Sequence, residues 1–228
     1  MSFIRQLNLK RRVRRKLKKS ATSGETEIQL LPFLVSGGLA IDVGANKGLY
    51  TYFLSKLADR VEAYEPNPVL AAKLSACNLP NTNVHAKAVS TKPGEAVLNI
   101  PLSPKGKHRA NVASLNSVDG DADKIKVPVA AIDAEGFSDV RFIKIDVEGH
   151  ELAVLQGAEE TITRDRPIIL LEINDGVDSP DGQAVIGFML ARGYTALQHF
   201  EGTLRHYSNL DGQRLHVDRN YIFIPKKV

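Results

Sequence analysis

From Leu39 onward, short apolar runs alternate with segments whose apolar residues recur at helical spacing. Leu39–Val43 follows Gly37 and Gly38 and reads as a buried strand. Gly48–Ala58 then sets Leu49, Tyr52, Phe53 and Leu57 on one helical face. Val61–Tyr64 predicts a second strand. Pro68–Ala76 predicts a second helix, opened by a proline whose missing N–H is not needed there. Val84–Val89 and Phe142–Ile145 predict a third and fourth strand, followed by a helix from about Glu151 to Thr163 that turns Leu152, Leu155 and Ile162 inward. Ile168–Ile173 is a fifth strand, Ala184–Arg192 a helix ended by Gly193, and Tyr194–Phe200 and Tyr221–Ile224 two last strands. Repeated strand–helix units imply a mostly parallel sheet with helices on both faces. Ala96–Ile100 and Ile125–Ala130 interrupt the rhythm and predict an extra hairpin around the polar loop Pro101–Lys124. No internal repeat is present. Ligands of such sheets bind outside the carboxyl ends of the strands. Chemistry is therefore expected just after Val43, Tyr64, Val89, Ile145 and Leu171.

Composition narrows the class. A chain of 228 residues with 43% apolar and 25% charged residues is long enough for one medium domain with a proper core. The single cysteine, Cys77, excludes a disulfide framework and any Cys-rich metal site, and suits a reducing cytoplasm. On its predicted helix it reads as a packing residue. No apolar run approaches the ~18 residues of a membrane span, and the N-terminus has no apolar core of a secretory signal. The net charge of +4 hides an asymmetry. Residues 1–20 hold nine Lys and Arg and no acid, leaving 21 of the 30 basic residues against all 26 acidic ones. The chain thus divides into a basic arm with a polar linker, residues 1–28, and an acidic globular body, residues 29–228.

Candidate chemistry starts at Ile41-Asp42-Val43-Gly44-Ala45-Asn46-Lys47-Gly48, which leaves the first strand and opens the first helix. Small residues let the backbone turn tightly beside a ligand, and a helix start offers unpaired N–H groups. Asn46 stands where a dinucleotide fingerprint needs its second glycine, and no Gly-Lys-Ser/Thr follows, so dinucleotides and P-loop chemistry are disfavoured. Glu65 ends the second strand about twenty residues on, where an acid can accept from both ribose hydroxyls. Asp42 in the first turn is placed to meet a cationic group. A cofactor with a ribose, an ammonium group and no phosphate fits the pair, and S-adenosylmethionine is the evident candidate.

A second cluster is Lys144-Ile145-Asp146-Val147-Glu148-Gly149-His150-Glu151. Glu151 reads as a helix cap. Asp146 lies at the carboxyl end of its strand, over the predicted site. Glu148 and His150 flank a glycine bend, and either can serve as a general base toward a substrate hydroxyl. Glu172 interrupts an apolar run and is costly to bury unless partnered or at the mouth of the site. Asp146, Glu148 and Glu172 together could hold a divalent cation, a reading less favoured than a site without metal.

These segments resemble the FkbM family of S-adenosylmethionine-dependent methyltransferases. The resemblance runs from about Leu39 to Tyr194. It rests on the glycine loop, on Tyr64-Glu65-Pro66-Asn67-Pro68, on Ala113-Ser114-Leu115, on Ile143-Lys144-Ile145-Asp146-Val147-Glu148-Gly149-His150-Glu151 with Leu155 and Gly157-Ala158, and on Leu171-Glu172-Ile173 and Gly193-Tyr194. It implies a class I, Rossmann-like methyltransferase fold, with a seven-stranded sheet whose last strand is antiparallel. It implies cofactor contacts at Asp42, Gly44, Asn46, Gly48 and Glu65. It further implies methyl transfer to oxygen of a small molecule, sugar or glycan. The chemistry of that transfer needs a base for the hydroxyl proton, and His150 or Glu148 is expected in that role, with Asp146 positioning cofactor or substrate.

The arm lies outside that resemblance. Phe3, Ile4, Leu7, Val13 and Leu17 among its cations suit a helix on an anionic membrane surface, at the inner face of a membrane. A nucleic-acid arm, a transit peptide and a solvated tail fit as well. Two alternatives follow: an RNA methyltransferase that uses the arm, and a non-catalytic membrane-associated protein on a methyltransferase scaffold. The acidic body disfavours nucleic acid. Lys105, Lys107, His108 and Arg109 give the long loop either a lid that holds an anionic substrate or a plain surface excursion. His85, His199, His206 and His216 show no ligand spacing and read as structural or surface residues.

Overall fold

A computed structural model describes residues 9, 11, 26–102, 113–116, 120–174, 176–200, 203–210 and 219–226. The basic arm apart from Leu9 and Arg11, the cations Lys105 to Arg109 of the long loop, and His216 lie outside them.

A 3-10 turn, Thr26–Leu30, runs into α1 (Leu31–Leu34). Then follow β1 (Leu39–Val43), α2 (Leu49–Leu57), β2 (Arg60–Tyr64), α3 (Pro68–Ser75), β3 (Thr82–His85), β4 (Ala88–Val89), β5 (Gly94–Pro101) and β6 (Ala122–Ala130). The second half holds β7 (Val140–Ile145), α4 (Glu151–Gln156), α5 (Glu159–Asp165), β8 (Ile168–Glu172), α6 (Pro180–Ala191), β9 (Tyr194–Phe200), β10 (Thr203–His206) and β11 (Asn220–Pro225).

The main sheet is ordered β10-β9-β11-β8-β7-β1-β2-β3. β3, β2, β1, β7 and β8 are parallel. The last strand, β11, is antiparallel to both β8 and β9. The seven-strand expectation is corrected to eight among the described residues, because β10 folds back on β9 as an edge hairpin. The chain steps outward from β1 to β3 on one side and from β7 to β8 on the other. The order therefore switches between β1 and β7, and their carboxyl ends flank a crevice.

Burial on both faces explains the apolar runs. One face, with Ile41, Val43, Ile143, Ile145, Ile169 and Leu171, packs under Val154, Leu155, Ile162, Val185 and Met189. The other, with Ala40, Phe142, Leu170 and Ile222, packs under Leu31, Tyr50 and Leu54. Each such aliphatic side chain contributes about 1.5–3 kcal/mol. Cys77 packs with Leu79 and with Leu9 of the arm. Glu27 and Ile28, at the end of the polar linker stretch, are buried. No helix among the described residues is long and apolar enough to cross a membrane.

Three predicted boundaries move, two for non-local reasons and one for a local cap. Val84–Val89 is two strands: β3 pairs with β2, and β4 leaves for a second sheet ordered β4-β6-β5. The extra hairpin is part of that sheet, β5 running antiparallel to β6 from Gly94↔Val129 to Pro101↔Ala122. The helix over Glu151–Thr163 breaks at Gly157, where a Cβ would stand 2.0 Å from the Ser90 carbonyl oxygen. α5 then restarts with Asp133 as a remote cap, its carboxylate accepting from the Glu160 and Thr161 N–H groups at 3.0 and 2.9 Å. α6 starts at Pro180, before Ala184, because Ser179 accepts from the Gly182 N–H at 2.9 Å.

Candidate active site

The glycine loop is shaped by a chain crossing. Gly44, at φ +82°, passes so close to the segment after β7 that a Cβ there would lie 1.8 Å from the Asp146 carbonyl oxygen. The Gly44 and Ala45 N–H groups both donate to the Tyr64 carbonyl at 2.9 Å. Gly48, at φ +76°, precedes α2, and a Cβ there would meet Leu74. Only glycine satisfies either position without a shift.

This loop holds Glu65. The Asn46 N–H donates to its Oε2 at 2.7 Å and the Asn67 N–H to its Oε1 at 2.8 Å. Glu65 is 5% exposed. Burial pushes its carboxyl up to about 7, with Asp42 and Asp146 adding to the rise and the two backbone N–H groups opposing it. A carboxylate has about four acceptor sites, so each oxygen keeps capacity for one more donor, as a vicinal diol requires. Nearby, the Asn46 Oδ1 and the Tyr64 hydroxyl are buried without a hydrogen-bond partner among the described residues. The Tyr64 ring stacks on His85, whose Nε2 lies 2.6 Å from Glu62, which gives this histidine a structural role.

Asn46, Tyr64 and Glu65 line a pocket whose cavity volume is about 60 Å³. It gathers six of the eight residues singled out from the sequence: Gly44, Asn46, Glu65, Asp146, Glu148 and His150. Lys87, Ala88, Val89 and Leu115 also line it. Gly48 and Asp42 are not in its wall. Gly48 packs beneath the loop. Asp42, 1% exposed, accepts from the Thr51 hydroxyl at 2.5 Å. Burial pushes it up to about 6, against the Thr51 hydrogen bond and the charge of Lys144. The cation that Asp42 meets is thus Lys144, its register partner on β7.

Sequence reasoning missed Lys144. It is 1% exposed, with Nζ 3.4 Å from Asp146 Oδ2, 3.3 Å from the Ile145 carbonyl and 4.8 Å from the centre of the Tyr50 ring. Burial alone disfavours its charge, but Asp146, Glu172, Asp42 and Glu27 outweigh it and hold the ammonium charged. The Tyr50 hydroxyl donates to Glu27 at 2.7 Å, which ties the 3-10 turn to the same cluster. A lysine inside an apolar strand of a doubly covered sheet was the available signal.

After β7 the chain makes a sharp turn through Glu148 at φ +50° and Gly149 at φ +88°. Burial, then Asp146 and Glu151, raise the Glu148 carboxyl, while Arg219 and Lys144 oppose them. His150 shares a hydrogen bond with Ser90 Oγ at 2.9 Å, and burial lowers its pKa. Nothing in the sequence marked Ser90. Glu151 does not cap α4. Its Oε1 accepts from the Gly149 N–H and Asn174 Nδ2, both at 3.0 Å, and so braces the turn. Glu172 is pushed up to about 7 by burial and by Asp146. Among the described residues, no three His, Cys, Asp or Glu side chains converge on a metal position, Asp146, Glu148 and Glu172 included.

The family described as the methyltransferase FkbM domain matches residues 42–196. Hexuronic acid methyltransferase AglP of Haloferax volcanii is 28% identical over 149 residues, 61% of this chain and 57% of that protein. The chain therefore spans little more than half the length of this relative. Among solved structures, the FkbM methyltransferase of Methylobacillus flagellatus aligns with a TM-score of 0.50 at 17% identity, over 82% of this chain and 43% of that one. A Streptococcus mutans protein described as a methyltransferase, solved in complex with SAH, aligns with a TM-score of 0.51 at 13% identity, over 87% and 95%. At these identities the two structures speak for the fold.

Proposed function

The chain belongs to the FkbM methyltransferase family, and from that premise we propose that it transfers a methyl group from S-adenosylmethionine to an oxygen of a sugar or glycan. The observation that carries the reading is Glu65, held by two backbone N–H groups in the wall of the pocket at the sheet's switch point. The pocket suits this cofactor. Glu65 keeps two acceptor positions for the ribose hydroxyls. The Asn46 Oδ1 and Tyr64 hydroxyl, without a hydrogen-bond partner among the described residues, await polar contacts, and Asp146 and Glu148 complement a cationic ligand.

Bound S-adenosylmethionine supplies a methyl group activated on a sulfonium centre. The chain's own task is to align an acceptor oxygen and accept its proton. Glu148 suits the proton transfer, because a carboxyl raised toward neutrality is a better base at pH 7 than an ordinary one. His150 is the second candidate, with its Nε2 engaged by Ser90. Asp146, steadied by Lys144, positions the cofactor or the acceptor. A sugar acceptor is supported by the AglP relative, a hexuronic acid methyltransferase.

The test is label transfer. Methyl-labelled cofactor is incubated with the protein and a panel of sugars and glycans that includes hexuronic acids. The reading expects label in a sugar, lost with Glu65→Gln and reduced about 10²-fold or more with Glu148→Gln. Label in RNA instead, or full turnover in both Glu148→Gln and His150→Ala, would overturn it.

A further inference from the structure

Residues 113–116, of which Ala113-Ser114-Leu115 belongs to the family-like pattern, have no role in the reading above and lie across the acid-bearing turn. Ser114, 6% exposed, pairs with Asn99 of β5 through two backbone hydrogen bonds of 2.8 and 3.0 Å. Its Oγ donates to the Glu148 carbonyl at 2.8 Å and accepts from the Asn116 N–H at 3.0 Å. Asn116 Nδ2 donates to the next carbonyl, that of Gly149, at 2.8 Å. The Asn116 carbonyl in turn accepts from Asn99 Nδ2 at 2.9 Å. Two side chains from a segment bridged to β5 of the second sheet thus hold two successive carbonyls of the turn.

That turn needs holding. A non-glycine residue at positive φ, such as Glu148, costs about 1–3 kcal/mol and persists only where its surroundings over-determine it. Glu151 fixes the turn from the helix side through the Gly149 N–H. Ser114 and Asn116 fix it from the other. Leu115, between them, lies in the pocket wall, so brace and pocket are one continuous piece.

We propose that Ser114 and Asn116 are positioning residues for methyl transfer: they clamp the Glu148–Gly149 turn and so hold the Glu148 carboxylate at the pocket. The proposal rests on the reading of Glu148 as the base. It joins the second sheet to catalysis, since that sheet anchors the clamp through Asn99.

The test reads Glu148 directly and needs no acceptor. Carbon-13 NMR of the full chain, labelled at glutamate carboxyls, follows the Glu148 signal with pH, assigned by its loss in Glu148→Gln. In Ser114→Ala the released turn opens the carboxyl to water and moves it away from Asp146 and Glu151, and its midpoint falls toward the ordinary carboxylate range, with Arg219 and Lys144 already pulling that way. Ser114→Thr keeps the hydroxyl and restores the wild-type midpoint. Calorimetry with S-adenosylmethionine gives wild-type affinity for Ser114→Thr, which keeps the hydroxyl that holds the Glu148 turn at the pocket wall. An unmoved Glu148 midpoint in Ser114→Ala, or a Ser114→Thr that behaves like alanine, overturns the proposal. Should Ser114→Ala not fold, Asn116→Ala removes the outer half of the clamp and carries the same test. A wild-type protein that fails to bind the cofactor refutes the functional reading, while the carboxyl titration still judges the clamp.

Discussion

Lys144 shows how one residue couples fold and site. Its ammonium is the cation that Asp42, Asp146, Glu172 and Glu27 share inside the sheet. Removing it leaves several buried carboxylates without compensation, which costs about 3–5 kcal/mol. Lys144→Met should therefore lower the denaturant midpoint strongly, whereas Lys87→Met, at the pocket's edge and partly exposed, should change it little. At this scale the sequence was legible where the chemistry is local. The glycine loop, Glu65 and the run from Asp146 to His150 lie in short segments at strand ends, and six of those residues converge on one pocket. Asp42 misled, because a position in the loop's first turn does not say which way a side chain points, and β1 turns it toward α2. Lys144 and Ser90 depend on partners far away in the chain, which spacing cannot reveal.

Among the elements, succession was legible and boundaries were not. Short apolar runs and 3.6-residue periodicity found the inner strands and the helices between them, but not α1 or the edge strand β10. They could not separate β3 from β4, because both halves are short and only their different partners, β2 and β6, divide them. Nor could they show the break between α4 and α5, which arises where Ser90 presses on Gly157. That contact gives a prediction. In Gly157→Ala the new methyl, 2.0 Å from the Ser90 carbonyl, must push β4 or the helix junction aside. Stability should fall by about 1–3 kcal/mol in urea unfolding, and the His150 imidazole, opened to water as it parts from Ser90 Oγ, should titrate closer to an ordinary histidine in proton NMR. An unchanged His150 titration would mean that the junction does not set Ser90.

The whole molecule stores protons in its active face. Asp42, pushed up to about 6, and Glu65 and Glu172, pushed up to about 7, keep protons that the unfolded chain releases from about pH 4 upward. The folded state binds more protons in this window, so stability should fall as pH rises from about 4 to about 7 and level off above it. Glu148 acts in the same sense, and His150, held low by burial, in the opposite one. Denaturant midpoints across this range test the sum. Glu172→Gln should flatten part of the slope, and a net rise in stability with pH would contradict the picture. The same buried acids bear on the cofactor, since a cationic ligand favours their ionised forms. The most direct measurement is therefore calorimetric titration of S-adenosylmethionine into the wild-type protein and into Glu65→Gln. The account predicts saturable binding at one site, weakened about tenfold to a hundredfold in the variant by loss of charge-assisted hydrogen bonds to the ribose. Equal affinity in the two proteins, or no binding by the wild type at millimolar cofactor, would contradict it.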